Sequence, residues 1–255
     1  MTPWTEGLLP QSRLKFLPAR AGAAGTAVLT RDRAIMGVPM RILALADLHG
    51  NLGALDAILA TAPAVDVIVL AGDLTHFGPA SLVERVLTRC ARHAGRVIAV
   101  GGNCDGPAVE ARLRRSDVDL HADARVVDGV VFYGVGRAQR WHDRSWELQE
   151  DELAQLLEHA RVRAGRPPDV LVTHAPPWGV CDRSRSGRPG GSRAVRAAVA
   201  AHRPRLVVCG HIHEAAGWER LGASVVVNCG PAAAGMAGLI TLDDGVRVEH
   251  LRAPR

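Results

Sequence analysis

The sequence predicts an α/β fold in which helices cover β-sheets. Short apolar runs recur from Arg41 onward, amphipathic segments separate them, and after Trp218 the texture turns to hairpins. Strand–helix alternation followed by a β-rich end implies sheets packed beneath helices.

Taken in order, residues 41–46, 66–71, 96–100, 130–135, 169–173 and 205–209 each have the length and branched apolar content of a buried strand. Helical patterns occupy 52–62, 79–94, 107–115, 149–164 and 192–202. Pro79 suits a first helical turn, where its missing N–H costs little. The β-rich end comprises 224–228, 238–242 and 246–251, the last two joined by the turn Asp243-Asp244-Gly245. With no internal repeat, 40–255 reads as one domain. Residues 1–39 combine four prolines with a small-residue stretch at 21–25 and no sustained period. They are expected to be a loose extension or a mis-assigned start, with Met36 and Met40 as alternative first residues.

Composition narrows the function. At 47% hydrophobic and 22% charged, the chain is neither a disordered tail nor a fibre. Its apolar runs fall far short of the ~20 residues a membrane helix needs. The net charge of +5 hints at nucleic acid, yet residues 1–40 carry +3 of it and the other 215 only +2. A nucleic-acid partner is therefore not expected. Five cysteines form no C-x-x-C pair, so a reducing, cytoplasmic setting is the expectation.

The polar residues of interest occupy a repeated position. Asp47 and His49 follow the first run, Asp73 the second and Asn103 the third; His174 follows 169–173, and His211 and His213 follow 205–209. In helix-flanked sheets the carboxyl ends of strands line the ligand crevice. Seven oxygen and nitrogen donors delivered there would converge. Carboxylate, imidazole and amide together suit Mn²⁺, Fe²⁺ or Zn²⁺ better than an all-oxygen cage. Seven exceeds one tetrahedral site and suits two ions sharing a carboxylate. Gly72, Gly101, Gly102 and Gly210 would let the backbone turn beside them.

Asp47-x-His49, Gly72-Asp73, Gly102-Asn103, His174 and Gly210-His211-x-His213, in that order, resemble the calcineurin-like metallophosphoesterases. The resemblance covers about residues 41–230 and implies a four-layer α/β/β/α sandwich with two divalent metal ions. Manganese is the first expectation, with iron, zinc or nickel as alternatives. By motif, Asp47, His49 and His213 would bind one ion, Asn103, His174 and His211 the other, and Asp73 would bridge. The family implies phosphoester hydrolysis by a hydroxide between the ions, here on phosphodiesters or phosphomonoesters of small molecules.

One departure matters. The family's Gly-Asn-His block reads Gly102-Asn103-Cys104-Asp105 here, and a neutral thiol is a poor substitute for imidazolium. A bacterial and archaeal small-phosphodiesterase branch shares the cysteine and commonly has a histidine after its Gly-Asp block. His76 is the counterpart here and is expected to take over part of the acid or phosphate-contact role. Cys104 reads as a small packing residue rather than a nucleophile. Trp178 is a candidate for stacking on a substrate ring. The stretch 183–196 carries Arg183, Arg185, Arg188, Arg193 and Arg196 and no acid, and is expected to be a mobile, phosphate-attracting loop. Glu214 and the stretch 228–230 read as loop-shaping elements, and Arg140, Trp141, His142 and Trp146 as a weak candidate rim. The competing functions are a non-catalytic metal-binding scaffold and, less favoured, a DNA nuclease. The oligomeric state is left open.

Overall fold

A computed structural model of the chain describes residues 39–139 and 147–254. The candidate rim of Arg140, Trp141, His142 and Trp146 lies outside the described residues. Elements run β1 (Met40–Leu45), α1 (Leu52–Thr61), β2 (Val65–Ala71), α2 (Ala80–His93), β3 (Ala94–Val100), α3 (Pro107–Arg115), β4 (Asp123–Val127) and β5 (Val130–Val135). They continue with α4 (Glu150–Arg163), β6 (Val170–Thr173), α5 (Arg193–His202), β7 (Leu206–Cys209), β8 (Gly217–Leu221), β9 (Ser224–Asn228), β10 (Met236–Leu242) and β11 (Val246–Arg252).

Two sheets result: β11-β10-β1-β2-β3 and β4-β5-β6-β7-β9-β8. The strands explain how they stack, because successive side chains point to opposite faces. In β1, Ile42 and Ala44 face the second sheet, where Phe132, Val172, Val208 and Val227 meet them. Leu43 and Leu45 point the other way, against Leu55 and Ile58 of α1 and Val83 and Val86 of α2. On the far side, Tyr133, Leu171, Val207 and Val226 pack under Leu153 and Leu157 of α4 and Val195 and Val199 of α5. The layers are therefore α/β/β/α, as the resemblance implies.

Both faces of the central strands are buried, so they read as continuous apolar runs rather than alternating ones. Strands β4 and β8 were not legible that way. They are the two edges of the six-stranded sheet and carry Asp123 and Arg125, or Glu219 and Arg220, as edge strands commonly do. Pro79 is also corrected: it is the extended residue capping α2, not part of its first turn. The hairpin-rich end divides, with β8 and β9 joining one sheet and β10 and β11 the other. The segment 118–122 crosses between sheets: Leu120 donates to Ala99 O of β3 at 2.8 Å, and Ala122 to Gly134 O of β5 at 2.9 Å.

Candidate metal centre

The loops after β1, β2 and β3 are fastened together before any side chain is counted. Asp47, His49 and Gly50 donate backbone N–H groups to Gly72, Asp73 and Leu74 carbonyls at 2.9–3.0 Å. Asp105 completes the clamp. Its buried carboxylate accepts from the N–H groups of Gly102, Leu74 and Thr75 and from Thr75 Oγ1, at 2.9–3.0 Å. Burial, followed by the Asp73 charge, pushes the Asp105 carboxyl up to about 6. No sequence signal beyond its place in the Gly-Asn-Cys-Asp block marks this clamp.

The donors reach their positions through a backbone that side chains normally avoid. Asp47, His49, Asp73 and His211 all have positive φ, between 46° and 69°. Such conformations cost about 1–3 kcal/mol each and cluster at functional sites. Gly102 is needed for close approach, because a Cβ there would collide with the Asp73 carboxylate. Gly101 is not: a Cβ would meet only ordinary contacts there, and its φ is not positive. The expectation that Gly101 is needed for the turn is corrected on that ground.

All seven expected donors come together. Asp47 is fully buried; its Oδ2 accepts from His211 N–H at 2.9 Å, and its Oδ1 lies 3.2 Å from His213 Nε2. Asp73 Oδ2 lies 3.5 Å from His174 Nε2 and 3.9 Å from His49 Nε2, while Asp73 Oδ1 accepts from Cys104 N–H at 2.7 Å. Asn103 Oδ1 is 3.0 Å from His174 Nε2, and the His174 and His211 rings are 4.9 Å apart. His174 Nδ1 donates to Ala71 O at 2.9 Å, which turns Nε2 into the cluster. The ligand atoms of Asp47, His49 and His213 lie within 4.8 Å of one another, as do those of Asp47, Asp73 and His174.

Electrostatics match the donor set. Burial opposes ionisation of Asp73, but the His174 charge and the hydrogen bonds it receives hold it well below the usual carboxylate range. Burial likewise opposes His174, yet Asp73 raises it to about 9. Burial and the His174 charge lower His211 to about 4, burial lowers His49, and Asp47 raises His213. A buried carboxylate here thus draws positive charge from its neighbours. In the cluster His49 Nδ1 is buried without a hydrogen bond, and Asp47 Oδ1 meets only the His213 ring. Carboxylates crowded with imidazoles are what divalent cations of the Mn²⁺–Zn²⁺ series require, and the residues fit them.

The remaining expectations divide. His76 is exposed, with its ring 5.4 Å from that of His49 and 5.0 Å from Phe77. Trp178 is half-buried and already engaged: Arg193 stacks 4.9 Å from its ring centre and Arg196 donates to its carbonyl at 2.7 Å. Arg193 and Arg196 therefore belong to α5 rather than to an arginine loop. Arg183, Arg185 and Arg188 lie on a tight turn held by Ser184 N–H to Arg188 O and Gly187 N–H to Ser184 O. Arg185 reaches Glu214, the neighbour of His213, at 3.5 Å. Asn228 shapes the loop beneath His211 and His213: its amide donates to Gly210, Ile212 and Cys181 carbonyls at 3.0–3.2 Å.

Comparison with known proteins agrees with this fold. Residues 40–215 match the calcineurin-like phosphoesterase family. An uncharacterized protein of Methanocaldococcus jannaschii is 29% identical over 199 residues, covering 75% of this chain and 88% of its own. A protein of Thermus thermophilus superposes with a TM-score of 0.67 at 20% identity, covering 84% of this chain and all of that one. The phosphopantetheinyl hydrolase of Mycobacterium tuberculosis gives 0.51 at 16% identity, covering 75% of this chain and 89% of that one. The chain belongs to the calcineurin-like phosphoesterase family.

Proposed function

We propose that this family member hydrolyses phosphodiesters or phosphomonoesters of small molecules with two divalent cations, manganese first among them. The observation that carries this reading is the convergence of seven donors from two sheets on one cluster. Asp47, His49 and His213 would hold one cation, Asn103, His174 and His211 the other, with Asp73 between. When bound, such a pair supplies Lewis acidity at the phosphoryl oxygens and lowers the pKa of water toward neutrality.

The chain's own residues do the rest. His174 keeps a proton on Nδ1 against Ala71 O and presents Nε2 inward. The Asp105 clamp fixes Asp73 and Asn103 on adjoining loops, so their oxygens hold position as charge develops nearby. His76, exposed with its ring 5.4 Å from that of His49, would donate a proton to a leaving oxygen or contact phosphate. The turn bearing Arg183 and Arg185 brings positive charge next to Glu214, at the cluster's edge. Small substrates are favoured over nucleic acid because residues 41–255 carry a net charge of only +2. The five cysteines are buried and unbridged, which supports a reducing, cytoplasmic setting.

The test is a panel of phosphomonoesters, cyclic nucleotides and aryl phosphodiesters, assayed with purified protein and added Mn²⁺. Turnover of at least one class, lost in Asp73→Asn and reduced in His76→Ala, is expected. Tight Mn²⁺ binding with no hydrolysis of any class would overturn the enzyme in favour of a metal-binding scaffold. Unimpaired turnover in Asp73→Asn would remove the shared carboxylate. A His76→Ala variant with unchanged kcat and KM on every substrate would end the role given to His76.

A further inference from the structure

We propose that His49, His76 and Cys104 form a second binding site, for a thiophilic cation of the Zn²⁺ or Cd²⁺ type. The site adjoins the oxygen-rich cluster and shares His49 with it. It does not depend on the chain being a hydrolase.

The geometry comes first. One ligand atom from each of His49, His76 and Cys104 lies within 4.8 Å of the others. Zinc bonds of about 2.0–2.3 Å, or the somewhat longer ones of cadmium, would need only a small closing movement. The movement falls to His76, whose side chain is exposed, while Cys104 is buried. Cys104 is immobilised by its backbone: its N–H donates to Asp73 Oδ1 at 2.7 Å, and its carbonyl accepts from Phe77 N–H at 3.0 Å. That second bond also fixes where His76, the residue before Phe77, leaves the backbone. The pairing of thiol and imidazole is thus a product of how two loops are stapled together.

The chemistry points the same way. Two imidazoles and a thiol are softer than the carboxylate-rich groups around Asp47 and Asp73, and soft sulfur selects Zn²⁺ and its heavier relatives over Mn²⁺. Neutral His49 has one lone pair to give, so it serves one of the two sites at a time: Nε2 faces Asp73 at 3.9 Å, and Nδ1 is buried without a hydrogen bond. The Asn103 amide lies 3.7 Å from Cys104 Sγ as a donor to the sulfur, which orients the thiol. On binding, Cys104 releases its thiol proton to solvent and a sulfur–metal bond forms. Cys90, Cys181, Cys209 and Cys229 are also buried, and burial pushes their thiols up. Among the described residues, Cys104 is the cysteine grouped with two further ligands. On the function proposed above, the same cation would inhibit, because it takes His49 from the first cation and His76 from the phosphoester.

Titration of the full chain with Cd²⁺ in the presence of Mn²⁺ tests the site, read by thiolate-to-cadmium charge-transfer absorption in the ultraviolet. A band saturating at one equivalent is expected. It should vanish in Cys104→Ser and Cys104→Ala, and His76→Ala should weaken the apparent Kd by about tenfold or more. Cooperative urea unfolding of each variant shows that it is folded. No band, a band that survives in both Cys104 variants, or an unchanged Kd in His76→Ala would each overturn the proposal. Because the readout is spectroscopic, its failure is separate from any failure of hydrolysis.

Discussion

The two sheets contribute unlike halves to the cluster. The five-stranded sheet supplies the oxygen donors Asp47, Asp73 and Asn103, together with His49, from three adjacent loops: Asp105 locks the second to the third, and backbone bonds tie the first to the second. The six-stranded sheet supplies only imidazoles, and they are graded outward: the His174 side chain is fully buried, that of His213 is 42% exposed. The first half is a rigid, anionic floor; the second is a set of closing ligands. Neither half is sufficient, because the links between them, His211 N–H to Asp47 and His174 Nδ1 to Ala71, cross the sheet interface.

The largest expected effect breaks the floor itself. Asp73→Asn should lower turnover by about 10³-fold, several kcal/mol of transition-state stabilisation, and should lower Mn²⁺ content measured by elemental analysis. If its activity matched wild type, the anionic half would not be central. Next, Asp105→Asn turns an amide toward backbone N–H groups and should cost about 3 kcal/mol in urea unfolding. It should also weaken Mn²⁺ binding, since both carboxylate-side loops lose their clamp.

Acidification probes the joint between the halves. His121 lies on the crossing segment and accepts from Gly136 N–H through Nδ1 at 3.1 Å. Burial lowers it to about 4, against the pull of Glu110. Folded protein keeps it neutral, while unfolded chain protonates it near 6.5. The unfolded state therefore binds more protons in that window, and stability falls as pH drops from about 6.5 to 4, by up to about 3 kcal/mol. His121→Gln should flatten that slope; an unchanged slope would assign the loss to other groups. The smallest effect should come from the second half. Asn228→Ala frees three carbonyls beneath the closing histidines and should cost about 2 kcal/mol, with His213-side metal affinity falling more than that of Asp73.

The floor and the closing ligands were legible in the sequence to different depths. Central strands such as Val130–Val135 stand out because both faces are buried, and the seven donors stand out because each follows such a run. The polar edge strands β4 and β8 carry no such signal. The left-handed backbone at Asp47, His49, Asp73 and His211 leaves only a faint trace in residue type: Asp and His tolerate positive φ better than most side chains, but packing is what enforces it. The Asp105 clamp was missed for a related reason: an aspartate after a strand looks the same whether it meets four buried donors or water. The arginines of 183–196 were separable only by position, because Arg193 and Arg196 are drawn onto Trp178 by the turn of α5.

One of these links also bears on how the protein is made. Asp47 and His211 are 164 residues apart, yet one hydrogen bond joins them within the cluster. A ribosome therefore delivers the acidic strand ends long before the histidines that complete them. For that interval the nascent chain exposes strong ligands without the geometry that discriminates among metals. Synthesis in excess zinc should then trap the wrong ion in newly made chains, whereas zinc added to protein already filled with manganese should exchange more slowly.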